Sequence, residues 1–324
     1  MDIAPVSTRA DLEDFHTVEA AVMAHDWVGL PADPIEEWLP LLESPETAGE
    51  RVQLYLGREA GVVVGTVTLR LPTLDNPTVV NGELSVHPDH RRRGHGRRLF
   101  HLLIDETRSL GRSRILGAVG SRPGQRPLAQ RLLDEIGAKP VLEETRRMLD
   151  LRQHPPTPRC DVPEGYRMVQ WLRRAPAELV DGCAYLLGRM TLDAPMGDMD
   201  YDQEKWDAAR YREHEQSAID RQRLRVSTAA VRDSGQVAGM TDIGVNARSP
   251  EVGYQWDTIV DPEHRGHGLG LVLKTWNHAL LAETVPGVRY LNTWNASSNT
   301  FMIRVNEALG FRPVDTWTEY QLDL

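Results

Sequence analysis

Two stretches of the chain place arginine, two residues, glycine, one residue and glycine in that order. They are Arg91-Arg92-Arg93-Gly94-His95-Gly96 and Arg265-Gly266-His267-Gly268-Leu269-Gly270. Each follows Val-x-Pro, at Val86 and Pro88 and at Val260 and Pro262. The β-branched run Thr258, Ile259, Val260 reads as the end of a buried strand. Beyond the second turn, Leu269, Val272, Leu273, Trp276 and Leu280 recur at helical spacing. The order is therefore strand, glycine-rich turn, helix. Backbone N–H groups in such a turn lack partners, and the helix dipole adds partial positive charge at the same end. That arrangement suits a diphosphate, and glycine lets phosphates approach the backbone.

The elements that must position these turns repeat. Arg51-Val52 recurs as Arg225-Val226, 174 residues on. Gly61, Val63 and Gly65 recur at the same offset as Gly235, Val237 and Gly239, and Gly137 recurs as Gly310 at an offset of 173. A near-constant offset implies two copies of one domain. In the first copy the patterning predicts a strand at 3–7 and a helix capped by Ser7 or Thr8. Helix broken at Pro31, Pro34 and Pro40 extends to 43. A hairpin follows at 52–58 and 62–71, turning at Ala60-Gly61, then a strand at 83–86 and a helix at 94–110. A strand at 114–119, a helix at 128–136 and a strand at 148–151 that closes the sheet complete the copy. The second copy begins near Tyr166 and ends with a strand at 317–322. The proline-dense stretch 153–163 reads as a linker between domains at 1–152 and 164–324. Strands with flanking helices make each half α/β.

Composition narrows the class. The chain has 324 residues, 40% hydrophobic and 26% charged, with a formal net charge of −10. Mean hydropathy is −0.42, and no apolar run reaches membrane-spanning length. The start Met1-Asp2-Ile3-Ala4-Pro5 has no basic and apolar leader pattern. Two cysteines, Cys160 and Cys183, make neither a disulfide framework nor a metal spacing. The expectation is a cytoplasmic protein with no metal and no membrane or nucleic-acid partner.

The two turns resemble the pyrophosphate-binding motif of the GNAT superfamily of acyl-CoA-dependent N-acyltransferases. The resemblance covers most of both halves and implies two tandem GNAT domains, as in mycothiol synthase-like proteins. Each would be a mixed, mostly antiparallel sheet flanked by helices, with a splayed V where acyl-CoA enters. Acetyl-CoA is then the implied cosubstrate. Its expected contacts in the second copy are Ile259, Val260, Arg265, Gly266, His267, Gly268, Leu269, Gly270, Asn295 and Asn299. In the first copy they are Ser85, Val86, Arg91, Arg92, Arg93, Gly94, His95 and Gly96. A carboxylate on the strand before the turn often serves as general base in this family. Asp257 and Glu83 occupy equivalent places there, and Glu251 is a further candidate; a solvent-facing acid is the plain alternative for each. Strand alternation puts Asp257 on the face of Ile259.

The last-helix motif of the family reads Asn, Tyr seven residues on, then Gly-Phe. Asn299 and Gly310-Phe311 fit, but Asn306 stands in the tyrosine's place. An amide cannot protonate a thiolate. Either the thiolate leaves without an acid, or Tyr254 donates, or the amide hydrogen-bonds the sulfur. The first copy departs further, with Arg126 and Leu133 at the corresponding places. Catalysis is therefore expected in the C-terminal copy. The acidic, methionine-bearing stretch 190–202 either lines the acceptor pocket or is a solvated loop, and Trp256 and Trp294 are either pocket walls or core. The resulting expectation is acetyl transfer to a primary amine of a small molecule. Two other readings stay open: a non-catalytic acyl-CoA sensor or scaffold, and an acyltransferase using a longer acyl-CoA or a protein amine.

Overall fold

Thr8 begins the first long helix with a reciprocal cap. Asp11 N–H donates to Thr8 Oγ1 at 3.1 Å, and Thr8 N–H donates to Asp11 Oδ2 at 3.1 Å. The computed structural model describes residues 1–324, Thr47 by its backbone alone. In chain order the first repeat forms β1 (Asp2–Pro5), α1 (Arg9–Asp26), α2 (Ile35–Trp38), α3 (Pro40–Glu43), β2 (Glu46–Thr47) and β3 (Glu50–Glu59). It continues with β4 (Val62–Pro72), β5 (Val79–Val86), α4 (His95–Ser109), β6 (Arg114–Ser121), α5 (Gln130–Ile136) and β7 (Lys139–Asp150). The second forms β8 (Tyr166–Leu172), α6 (Val180–Asp193), α7 (Ala208–Asp220), β9 (Arg223–Arg232) and β10 (Val237–Asn246). Then come β11 (Val252–Val260), α8 (Leu269–Thr284), β12 (Tyr290–Ala296), α9 (Thr300–Ala308) and β13 (Arg312–Asp323). Ala60 and Gly61 take φ of 50° and 82°, the left-handed geometry that a two-residue hairpin turn needs.

The compact units are cut differently from the repeats. One comprises residues 1–144, 197–202 and 315–324; the other comprises 145–196 and 203–314. In the first unit the strand order is β1-β3-β4-β5-β6, closed by the end of β13. Thr316 to Asp323 pairs antiparallel with Ser121 to Arg114. In the second unit, residues 145–150 of β7 lie beside β12, and the order continues β11-β10-β9-β8. The two closing strands are thus exchanged relative to the expectation that 148–151 closes the first copy and 317–322 the second. Antiparallel pairing dominates both units, and β5 with β6 and β11 with β12 pair in parallel.

Helices cover both faces of each sheet. In the second unit Cys183, Leu186, Leu187 and Tyr211 pack on Ala229, Val231, Met240 and Ile259. On the other face Leu281, Val305, Leu309 and Phe311 pack on Val226, Ile243 and Leu291. The first unit repeats this, with Leu12 and Phe15 on one face and Leu99 and Leu103 on the other. Residues 197–202 belong to the first unit, where Asp202 N–H donates to Asn76 Oδ1 at 2.7 Å and Arg114 pairs with Asp200. The expected acceptor loop is therefore divided, and its acid at 200 is already neutralised.

Candidate active site

The parallel pairs are short. β11 pairs with β12 only from Val252 to Tyr254, opposite Tyr290 to Asn292. β5 pairs with β6 only from Val79 to Asn81. Beyond these residues the strands separate, and each unit has a V whose open end leads to a glycine-rich turn.

In the second unit the turn starts with a single 3-10 turn at Pro262–His264, capped by Asp261 Oδ1, which accepts from Glu263 N–H at 2.9 Å. Gly266 and Gly268 then take φ of 86° and 72°, and Gly268 caps α8. A Cβ at either would meet nothing within 4 Å. Glycine is needed there for its backbone conformation, and the space above it is open. Among the described residues, the N–H groups of 266–270 make no backbone hydrogen bond, whereas Leu271 and Val272 return to Gly268 O. Such a row of donors at a helix N-terminus fits a diphosphate. The first unit keeps the shape, with Gly94 at φ 84° capping α4, but Arg92 holds φ 61° where the second unit has Gly266.

The motif arginines reach back to strand and helix, Arg91 largely covered and Arg265 half exposed. Arg265 Nε donates to Val260 O at 3.2 Å, and its guanidinium lies 3.1 Å from Asp193 at the end of α6. Arg91 Nε donates to Val86 O at 3.0 Å, and its two terminal nitrogens clasp Asp26 at the end of α1 at 2.9 and 2.6 Å. Both arginines brace the turn against strand and helix. Tyr166 of β8 supports the second turn through a 3.1 Å hydrogen bond with His264.

Asp257 sits on a β-bulge. Thr241 pairs with Thr258 and Ile243 with Gln255, so Trp256 and Asp257 both oppose Asp242. The Trp256 ring lies over Gly244, where any Cβ would approach it to 2.2 Å. Burial, then the Asp242 carboxylate, pushes the half-buried Asp257 carboxyl up to about 6, opposed by Arg225. Arg225 is buried and bonds Asp242 at 2.9 Å, and Ser227 also donates to Asp242. Glu251 is exposed at the closed end of the V, and its carbonyl accepts from Arg289 and Tyr290. Six residues of strand separate it from Asp257, roughly 20 Å. The structure does not bring these two acids together.

On the opposite face a polar chain crosses the core. Lys274 Nζ donates to Asn306 Oδ1 at 2.7 Å, and Asn306 Nδ2 donates to Asn295 Oδ1 at 2.7 Å. Lys274 and Asn306 are buried and Asn295 is half-buried at the open end of β12. Asn299 caps α9, accepting from Met302 N–H at 3.2 Å. Ile259 is committed to the core by its side chain. Sequence reading missed Lys274, although it is the only charged residue from Leu269 to Leu281, a span buried on nearly every side.

A family model described as Acetyltransferase (GNAT) family matches residues 19–134 and 193–311. The chain belongs to the GNAT acetyltransferase family. As a tandem GNAT protein it is an acyltransferase, of a class that draws on acetyl-CoA in general. It is 27% identical over 297 residues to the mycothiol acetyltransferase of Salinispora arenicola, covering 90% of this chain and 87% of that one. It is 28% identical over 258 residues to that of Saccharomonospora viridis, covering 74% and 72%. A solved tandem GNAT protein from the clavulanic acid biosynthesis pathway superposes with a TM-score of 0.84 at 27% identity, over 99% of this chain and 98% of the other.

The first GNAT unit uses its candidate residues differently. Glu83 is exposed and pairs with Arg70 at 3.3 Å. Ser85 donates at 3.2 Å to Glu19, a carboxylate of α1 that also accepts from Thr66 at 2.5 Å. Burial raises the Glu19 carboxyl. Burial, reinforced by Glu144 and Glu83, pushes Glu319 up to about 7 beside the same V. His95 is buried at the start of α4, and burial lowers its pKa. Among the described residues of both units no group of His, Cys, Asp and Glu forms a metal site, and no helix is long and apolar enough to cross a membrane.

Proposed function

We propose that the second unit transfers an acetyl group from acetyl-CoA to a primary amine of a small molecule. The observation that carries this is the bulge-borne Asp257 on the strand that leads into an unpartnered row of N–H donors. Acetyl-CoA would supply an activated acyl group on a thiol leaving group. Residues 266–270 would hold its diphosphate through their backbone, with Arg265 keeping the turn in shape. Asp257 takes the proton from the acceptor ammonium, directly or through water. With its carboxyl raised to about 6, it is ionised at neutral pH and is a stronger base than an ordinary aspartate. The relatives named for mycothiol support a small acceptor. The free cysteines fit a reducing, cytoplasmic setting. Turnover of acetyl-CoA against a panel of amines tests the proposal; absence of transfer with intact binding leaves a sensor instead.

A second reading has its own observation. Glu19 and Glu319 give the first unit elevated carboxyls beside an intact phosphate turn. On that reading the first unit is also, or instead, the catalytic one. Blocking each turn separately decides between them.

A further inference from the structure

The chain Lys274–Asn306–Asn295 has a direction that chemistry imposes. Lysine only donates, so Asn306 must present its oxygen to Nζ and its amide nitrogen to Asn295. Asn295 must then accept through its own oxygen. Its two N–H donors remain, at the half-buried open end of β12, with no protein partner among the described residues. The positive end of two amide dipoles in series thus lies at the open end of β12, with the lysine amine behind them.

The fold does not require this chain. In the first unit the position equivalent to Lys274 is Phe100 and that equivalent to Asn306 is Leu133; both are buried, Phe100 in the apolar core. Replacing buried polar groups by apolar ones of similar size is often neutral or stabilising, so a buried lysine and amide are a cost that one unit bears and the other avoids. Burial lowers the Lys274 pKa to about 7. The groups that face it are Asn306, the Phe311 ring 5.9 Å away, and His278 one turn along α8. His278 bonds Gln255 at 3.1 Å, and burial lowers its pKa to about 3, so it is neutral. Lys274, about half protonated at neutral pH, is the group here that carries positive charge, and a thiolate at the far end of the amides would favour its charged form.

We infer that Asn295, polarised through Asn306 by Lys274, is the group that stabilises the departing thiolate of coenzyme A, in the role left open by the missing tyrosine. Asn295 is the catalytic residue; Lys274 and Asn306 are positioning residues. No proton passes along the amides. Asp257 holds the first proton, taken from the ammonium. As the tetrahedral intermediate collapses the nitrogen gives its second proton to water, the electron pair of the breaking carbon–sulfur bond stays on sulfur, and water returns that proton to the departed sulfur. The inference rests on the acetyl-CoA reading of the second unit.

The test uses the full chain, with the first turn blocked by Gly94→Glu, and binds free coenzyme A to it. The ultraviolet absorption of the bound thiolate is followed against pH. An ordinary thiol ionises near pH 8.5, at about that value free in water. The bound thiol is expected to ionise at least one unit lower. Lys274→Met, Asn306→Leu and Asn295→Ala should each raise that midpoint by about one pH unit or more. They should lower kcat for acetyl transfer at least tenfold and leave KM for acetyl-CoA within twofold. Asn295→Ala lies outside the core, so it answers even if a core variant fails to fold. An unshifted thiol in the parent chain, or an Asn295→Ala midpoint equal to the parent's, overturns this inference alone. Failure of the parent chain to bind coenzyme A overturns the acetyl-CoA reading and this inference with it.

Discussion

Arg225 reaches Asp242 at 2.9 Å on the same side of the sheet that the bulge gives to Asp257. Asp242 thereby faces one cation and one titratable acid. The first neutralises it, and the second is lifted by it. This pairing links the packing of the sheet to the proton affinity of the proposed base.

The acid limb of kcat/KM is expected to follow Asp257, rising with pH through about 6. Asp257→Asn should remove that limb and lower the rate about 10²–10⁴-fold. The stability effect runs the other way. The folded state holds the proton more tightly than the unfolded chain, so stability falls as pH rises from the ordinary carboxylate range through about 6. Asp257→Asn should therefore be the more stable protein at pH 7, by about 1–3 kcal/mol, with the gain fading by pH 4. Urea denaturation at the two pH values measures it.

Removing one partner of the buried pair is predicted to be costly. Arg225→Met leaves the Asp242 carboxylate buried without its cation, and a loss of about 3–5 kcal/mol is expected in denaturant unfolding. If the protein still folds, the loss of Arg225 should raise the apparent pKa of the acid limb, since Arg225 opposes the upward shift of Asp257.

The two phosphate turns can be separated. Gly268→Glu puts a carboxylate and a strained φ at the head of α8, while Gly94→Glu does the same at α4. Gly268→Glu should abolish acetyl-CoA turnover, and Gly94→Glu should leave kcat/KM within twofold, with acetyl-CoA binding read by calorimetry. The opposite pattern would assign catalysis to the first unit and its Glu19 and Glu319.

The Arg265–Asp193 pair predicts coupling. Arg265→Ala and Asp193→Asn should each raise KM for acetyl-CoA several-fold by loosening the turn. The double variant should be no worse than Arg265→Ala, because both changes remove one brace. Additive effects, with a salt-dependent loss only for Arg265→Ala, would make the arginine a direct phosphate contact.

The repeat, the two turns and the helix that follows each were legible because they rest on local rules. Glycine allows the left-handed backbone at 94, 266 and 268, apolar spacing marks α8, and a threonine caps α1. Asp257 was legible for the same reason, as an acid at a fixed distance before a turn. Which strand closes which sheet was decided by the tertiary structure. The ends of β7 and β13 read alike in the chain, and only pairing distant in sequence distinguishes them. That choice carries Glu319 to the V of the first unit from the far end of the chain. The elevation of Asp257 was likewise invisible, because it depends on a bulge opposite Asp242 and on burial in the folded sheet. Lys274 shows the limit most plainly: its charge is in the sequence, but the amide partners 32 and 21 residues away are set by the packing of α8, α9 and β12. Local backbone preference is written residue by residue, whereas pairing and desolvation exist only once distant segments have met.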